Sequence, residues 1–599
     1  MRTRVIFARG SLQISHYVFL ATLLVRLVAL ARLTGSTLFR PAGGDMLFYQ
    51  QWALRVIHGQ WTDHHAFYAL PLYAYWLAAI YLIAGNGAFL PLLIQAVADA
   101  GTAALVYKLS AFVAKANNGI VGCVAAIGWT LYVPAQAYAA VLMPTSFAVF
   151  VFWFVVWQIV KTETAPTSLR TFLCALLLGF TGMAVANVMF AAVLVLVAVV
   201  VRPSVTRRRA QNVLMLCAGI TIGTSPCWLH NCLVARDPVF LSAHGGVNFW
   251  IGNNREATGY PHFPGLHAGQ AEMLRDSIAI AESGAGRPLL RSEVAHYWSS
   301  RAWSDITAGP LGWLRLLAAK FANFWSAFEY DDISVIDRLR VEHVIFPGPH
   351  FGVIAVLAIA GICVGALNSS GGRYIAAAIA CVAASVLVVF VTERYRTAAV
   401  PGLLALGSIG LCNAWESALR RRYLRVAGYC ASTITAAFVI FMPRADAALL
   451  AFRAYHEGLQ AFEAGDYARA HEELERAYVS APRNAETNLA LGNLALHEHN
   501  VEDAKKFYRA AVALDPQQKS ALNNLGVIAL EEQEFPSAVT FFRDALRLEP
   551  QNAKTHYLLA RALMATGQKA EAIREAETAI ELDSAQPEFR ELRERIGAE

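Results

Sequence analysis

Charge is what this chain of 599 residues has too little of: Asp, Glu, Lys and Arg make up 16% of it, against roughly 25% in soluble domains. Hydrophobic residues make up 56% and the mean hydropathy is +0.41. A disordered, collagen-like or disulfide-stapled chain is thereby excluded. Cysteine is sparse as well. Of nine, Cys123, Cys174, Cys217, Cys227, Cys363, Cys381, Cys412 and Cys430 lie in or beside apolar stretches, and Cys232 just follows one. None has metal-ligand spacing, and no disulfide is expected. A P-loop and a dinucleotide fingerprint are also missing, so no nucleotide site is expected.

The charge that is present is unevenly spread. Residues 444–599 hold 44 of the 94 charged side chains, and the first 443 hold 50. The first part carries 32 basic and 18 acidic groups, and the second 18 and 26. The overall +6 therefore argues for no nucleic-acid partner. The chain reads as a membrane domain, 1–443, followed by a soluble acidic domain, 444–599.

Apolar runs near the ~20 residues needed to cross ~30 Å of hydrocarbon as helix recur through the first domain. They predict an all-α polytopic bundle of about eleven spans, at 15–33, 69–87, 90–113, 119–139, 142–160, 171–201, 211–229, 350–367, 374–392, 397–413 and 426–442. The run 171–201 is long enough for two short helices. The first run contains Arg26 and lacks a small-residue cleavage site, which argues against a cleaved signal. Basic clusters at Arg2, Arg4 and Arg9, at Arg202 and Arg207–Arg209, at Arg373, and at Arg420–Arg422 with Arg425 mark a cytoplasmic face. The expected location is a multi-pass cell (inner) membrane protein, with outer segments 34–68 and 230–349 and the acidic domain outside.

The second domain repeats every 34 residues. Pro482, Pro516 and Pro550 recur with Ser584; Gly458, Gly492 and Gly526 with Ala560; Ala470, Ala504 and Ala538 with Ala572; Ala477, Ala511 and Ala545 with Ala579. This is the tetratricopeptide pattern, an α-solenoid of helical hairpins. Four repeats cover about 452–585, and the charged stretch from Gln586 reads as a capping helix. A concave surface for a protein partner or peptide is one function; a spacer or self-association module is the other.

Polar residues on outer loops are where such a membrane domain would do chemistry. Gly43 and Gly44 open space before Asp45, with Tyr49 one helical turn later on the same face. Asp45 suits a general base or an N-cap for a helix at 46–58. Asp63, His64 and His65 form a second cluster, suited to substrate binding or to capping a surface loop; neighbouring His residues without a third ligand argue against zinc. Gly245, Gly246 and Gly252 with Asn253 and Asn254 read as a polar loop, either a double turn or a grip on a sugar or diphosphate. Lys320, among Trp313, Phe321, Phe324 and Trp325, reads as part of an amphipathic helix on the membrane surface. In ERYR, Arg394 and Arg396 suit a phosphate clamp, Glu393 satisfying one guanidinium and the other meeting the phosphate, or a pair of snorkelling interfacial side chains.

In combination these segments resemble a family. GGDMLFYQQWA (43–53), HGQW, FYALPLYAYWLAAIY and the helix from Gln95 to Tyr107, then HGGVNFWIGNNREATGYPHFPG (244–265), RSEVAHYWSSRAW, WLRLLAAKFANFWSAFEYDD and VTERYR (391–396), are similar in order to the bacterial GT-C membrane glycosyltransferases. That group includes protein O-mannosyltransferases and lipid A aminoarabinose transferases, and the likeness is of the family 39 type. With the repeats it covers nearly the whole chain. The resemblance implies transfer of a hexosyl or pentosyl group from a polyprenyl-phosphate donor to a protein, glycan or lipid acceptor at the outer face. It places the catalytic base on Asp45, and the loop chemistry read above assigns Tyr49, His64, His65, Asn253, Asn254, Glu393, Arg394 and Arg396 to substrate binding. It implies no cofactor. Met46 stands where several relatives have a second acidic residue, an acidic residue near 142–146 is missing, and AVAN at 184–187 replaces a basic one. These departures leave the metal and the donor position unassigned. An O-antigen ligase or polymerase, and a non-catalytic scaffold displaying the repeats, are the competing readings.

Overall fold

The computed structural model describes the chain except residues 1, 40, 42–43, 115–117, 163, 204, 262, 264–265, 267–268, 332, 334, 443–446, 517, 584–585 and 599. Among the described residues every regular element is a helix. The chain forms two compact units, Met1–Met442 and Pro443–Glu599.

Among the described residues of the first unit six helices are long and apolar enough to cross a membrane: Gln13–Leu33, Phe89–Val113, Thr206–Val234, Ser370–Val388, Glu393–Leu419 and Tyr423–Ile440. A seventh arises if Gly119–Leu131 and Val133–Ala139, bent by 57°, count as one. About eleven were expected. The difference is a matter of helix length, because several apolar runs are cut by turns. The run 69–87 yields only Leu72–Ala84, between Pro71 and Gly85 at φ 76°, and 350–367 yields only Phe351–Cys363. The run 142–160 starts its helix at Thr145 after Pro144, and 171–201 divides into Ser168–Gly182 and Ala186–Val201.

Small residues set the helix crossings, as expected where lipid offers no hydrophobic drive for helices to associate. A Cβ on Gly410 would lie 2.2 Å from Cα of Gly361, which brings Val400–Leu419 onto Phe351–Cys363. On Gly223 it would meet the Leu176 carbonyl at 2.4 Å, and on Gly179 the Ile220 carbonyl at 2.7 Å. Inside the bundle Arg26 Nε donates to Asp99 at 2.7 Å, with both side chains 1% exposed. Its Nη1 donates to the Thr130 carbonyl at 2.7 Å. An unpaired charge there would be costly, and the pairing is what permits it.

The segments 34–68 and 230–349 are stitched together. The amides of Ala243 and His244 donate to the carbonyls of Phe67 and Tyr68 at 2.8 and 3.0 Å. Arg291 donates to the Ala66 carbonyl at 2.6 Å and to Asp63 at 2.9 Å. The expected loop at 244–254 is instead the helix His244–Asn253. Two of its three glycines serve close packing rather than positive φ: a Cβ on Gly246 would lie 2.1 Å from the Ala295 carbonyl, and on Gly252 1.9 Å from that of Val389, while one on Gly245 would meet nothing within 4 Å.

Among its described residues the second unit is four helical hairpins and a last helix. The pairs are Ala447–Glu463 with Tyr467–Ser480, Ala485–His497 with Val501–Leu514, Lys519–Glu531 with Phe535–Leu548, and Ala553–Ala565 with Lys569–Leu582. The 34-residue register is a packing register. A Cβ on Gly458, Gly492 or Gly526 would meet Leu474, Tyr508 or Phe542 at 2.6–2.7 Å. Ala470, Ala504, Ala538 and Ala572 are wholly buried. Pro482, Pro516 and Pro550 follow the second helices closely; Ser584 lies outside the described residues. The last helix, Pro587–Ala598, buries Phe589, Leu592 and Ile596 and so closes the core with an apolar face.

Candidate functional site

Residues 349 positions apart meet at one point. Gly44, at φ 60°, turns the chain into the helix Gly44–Ile57, a conformation that glycine adopts without strain. A Cβ there would touch nothing within 4 Å, so this glycine serves the backbone rather than opening space; Gly43 lies outside the described residues. Asp45 stands in the first helical turn, where the positive end of the helix favours a carboxylate. Arg394 Nη1 donates to Asp45 Oδ2 at 2.9 Å, with the side chains 14% and 12% exposed. The Arg394 guanidinium also lies 5.2 Å from the centre of the Tyr395 ring.

Two further side chains feel this pair. Tyr49 packs edge-on to Tyr73 at 5.2 Å, and burial pushes its hydroxyl pKa well up, the Asp45 charge adding to the shift and Arg394 opposing it. His244, at the start of its helix, is half-buried and lies 5.0 Å from Tyr68, ring to ring. Burial pushes its pKa down to about 4, against the pull of Asp45 and helped by Arg394. It is a neutral imidazole at physiological pH, with Asn248 3.3 Å from Nδ1. His244 was not singled out in the sequence, although it opens the HGGVNFW segment.

Other expected site residues have their bonds elsewhere. Arg396 is 1% exposed, paired with Glu393, and donates to the carbonyls of Phe324, Ser326 and Phe328 at 3.5, 2.7 and 2.9 Å. Its Nε adds a 3.0 Å bond to Glu393, and its guanidinium lies 3.7 Å over the Phe351 ring. No donor of Arg396 is left for a phosphate, so the two-arginine clamp reduces to Arg394. Glu393 is fully buried and also bonds Tyr132. Asn253 is consumed as well: its amide donates to the carbonyls of Phe249 and Val388, and its oxygen accepts from Trp313 and Lys320. Asn254 caps its own helix, bonding the carbonyls of Trp250 and Ile251 and the amide of Glu256. Both asparagines are structural, not ligand-facing. His64 (φ 59°) and His65 are exposed in a turn, their amides donating to Thr62 and Asp63. No group of three or more His, Cys, Asp or Glu that could hold a metal exists among the described residues.

Lys320 is a further correction. Instead of lying at a surface it is 0% exposed, and Nζ donates to Asn253 Oδ1 at 3.0 Å and the Leu387 carbonyl at 3.1 Å. Leu311, Leu314 and Phe321 of the same helix, Pro310–Trp325, face outward instead. Two neutral acceptors suit the two N–H groups of a neutral amine, and burial pushes the Lys320 pKa down to about 7. Between pH 7 and the ordinary 10.5 the unfolded chain therefore binds a proton that the fold does not, so stability rises with pH across that window. From pH 7 to 9 the native protein should gain about 2 kcal/mol relative to Lys320→Met. Thermal unfolding of both proteins at the two pH values reads this; parallel curves would contradict it.

Tetratricopeptide repeat models match residues 455–519, 489–553 and 529–596. The second unit is thus built from tetratricopeptide repeats, a class of module used for protein–protein interaction. Among solved structures, MamA 41-end from Desulfovibrio magneticus RS-1 is 16% identical with a TM-score of 0.24, the match covering 25% of this chain and 84% of that one. PilF from Pseudomonas aeruginosa is 22% identical with a TM-score of 0.23, covering 25% and 68%. No curated protein matches the chain.

Proposed function

We propose that this protein is a membrane glycosyltransferase that moves a hexosyl or pentosyl group from a polyprenyl-phosphate donor to a protein, glycan or lipid acceptor at the outer face of the cell membrane. The observation that carries the reading is the Asp45–Arg394 pair, a base candidate and a phosphate-binding candidate brought to 2.9 Å from opposite ends of the membrane domain. Asp45 takes the proton of the acceptor hydroxyl as its oxygen attacks the anomeric carbon. The bond from that carbon to the phosphate oxygen breaks, its electron pair leaves with the polyprenyl phosphate, and the single displacement inverts the anomeric centre. Arg394 meets the phosphate. Tyr49 and the neutral His244 flank the pair. A cleft of about 150 Å³ lined by Val353, Leu357, Leu403, Leu404 and Leu411 offers the apolar chain a place along the helix that follows ERYR. The repeat domain docks the acceptor or a protein partner.

The test is turnover. Purified protein in nanodiscs, given a polyprenyl-phosphate hexose, should release polyprenyl phosphate, and a deletion strain should lack a glycan by mass spectrometry. An intact donor and unchanged glycans would leave the second reading, a membrane-anchored scaffold, which the repeats favour on their own. The basic clusters further predict that a fluorescent reporter active only in the cytoplasm stays dark when fused after Glu599. A bright fusion would move the repeat domain to the other side of the membrane.

A further inference from the structure

We propose that the Asp45–Arg394 ion pair is a latch that the donor releases: the donor phosphate takes Arg394 from Asp45, and only then is the carboxylate free to act as a base. The inference rests on the glycosyltransferase reading and adds a regulation of the same site. Its first support is the asymmetry inside one short helix, Glu393–Arg396. Arg396 is locked by Glu393 and three carbonyls at 1% exposure. Arg394, at 14%, reaches out of the segment to the carboxylate of Asp45 on another element. One arginine is spent on its own segment's carboxylate and on those carbonyls, and the other is spent on an anion 349 residues away.

The chemistry of the exchange is balanced. Carboxylate and phosphate present similar oxygen pairs to a guanidinium, so a phosphate can replace Asp45 without leaving Arg394 uncompensated. In a partly desolvated site a lone guanidinium would be costly, which makes an anion necessary before the pair can part. The carboxylate left behind sits in the first turn of Gly44–Ile57, where the helix end supplies partial positive charge. His244 beside it is neutral, so it neither captures the phosphate as a cation nor takes over as the partner of Asp45. A base tied to Arg394 at rest and released by the donor would hold back proton abstraction until a sugar is in place.

The latch makes a prediction that runs against the usual effect of altering a catalytic carboxylate. Full-length protein in nanodiscs is titrated with farnesyl phosphate, with farnesol as the uncharged control. Removing the competing carboxylate in Asp45→Asn should tighten farnesyl phosphate binding about ten- to a hundred-fold, the scale of one charge-assisted hydrogen bond. Asp45→Ala should do the same, which covers the case in which the Asn variant fails to fold. Arg394→Ala should weaken binding by a similar factor, and the double variant should match Arg394→Ala. Farnesol binding should not respond to any of them. Unchanged or weaker phosphate binding in both Asp45 variants overturns the latch; if transfer is lost in the same proteins, Asp45 remains the base. Unchanged binding in Arg394→Ala overturns the latch together with the assignment of Arg394 to the phosphate.

Discussion

Asp45→Asn should lower sugar transfer by about 10²–10⁴ while leaving the protein folded. The amide keeps the size of the carboxylate and loses its basicity. The pair with Arg394 is only 12–14% exposed, and losing one charge-assisted hydrogen bond there should cost about 1.5–3 kcal/mol, a small shift in the melting temperature of a unit this large. Rate and stability thus separate: a fall of that size in turnover at a nearly unchanged melting temperature assigns chemistry to Asp45. Near-normal transfer by a well-folded Asp45→Asn protein would remove the base, and with it the main ground for reading this chain as an enzyme. A large drop in melting temperature would instead make the pair a structural strut.

The two ends of the site were legible separately and their meeting was not. Asp45 is marked by the glycines before it and Arg394 by a charged motif at the end of an apolar run. Nothing local links positions 349 apart, and only the helix crossings bring them together. The repeats are the opposite case. Their register is set within each hairpin, where Gly492 faces Tyr508 and Gly526 faces Phe542, so a period of 34 residues carries the packing directly. Asn253, Asn254, Lys320 and Arg396 misled for one shared reason. A polar side chain saturated inside the fold looks the same in sequence as one that faces a ligand, since burial and partners are non-local properties. The glycines at 246 and 252 misled similarly, because close approach to Ala295 and Val389 demands glycine as firmly as positive φ does. Counting spans by apolar runs overstated helix length wherever Pro or Gly ends a helix early, as at Pro71 and Gly85.

Arg396→Met should destabilise the protein more than Arg394→Met, although the two arginines are separated by one residue. Replacing Arg396 leaves Glu393, fully buried, without its cation, and removing one partner of a buried pair costs about 3–5 kcal/mol. The carbonyls of Ser326 and Phe328 lose their donors in the same step, which detaches the chain after the helix Pro310–Trp325 from the ERYR segment. Arg394→Met removes the pair with Asp45, and the loss should be about 1.5–3 kcal/mol. The combined Glu393→Gln and Arg396→Met variant should recover part of the stability lost in Arg396→Met, because no uncompensated charge remains inside. Thermal unfolding of the purified proteins in detergent reads all three comparisons. Activity alone cannot separate them, since Arg396→Met would lose transfer through loss of the fold and Arg394→Met through loss of the donor phosphate contact. Equal melting temperatures for the two single variants would show that Arg396 is not the staple of this segment, and would return it to the site as a second phosphate ligand.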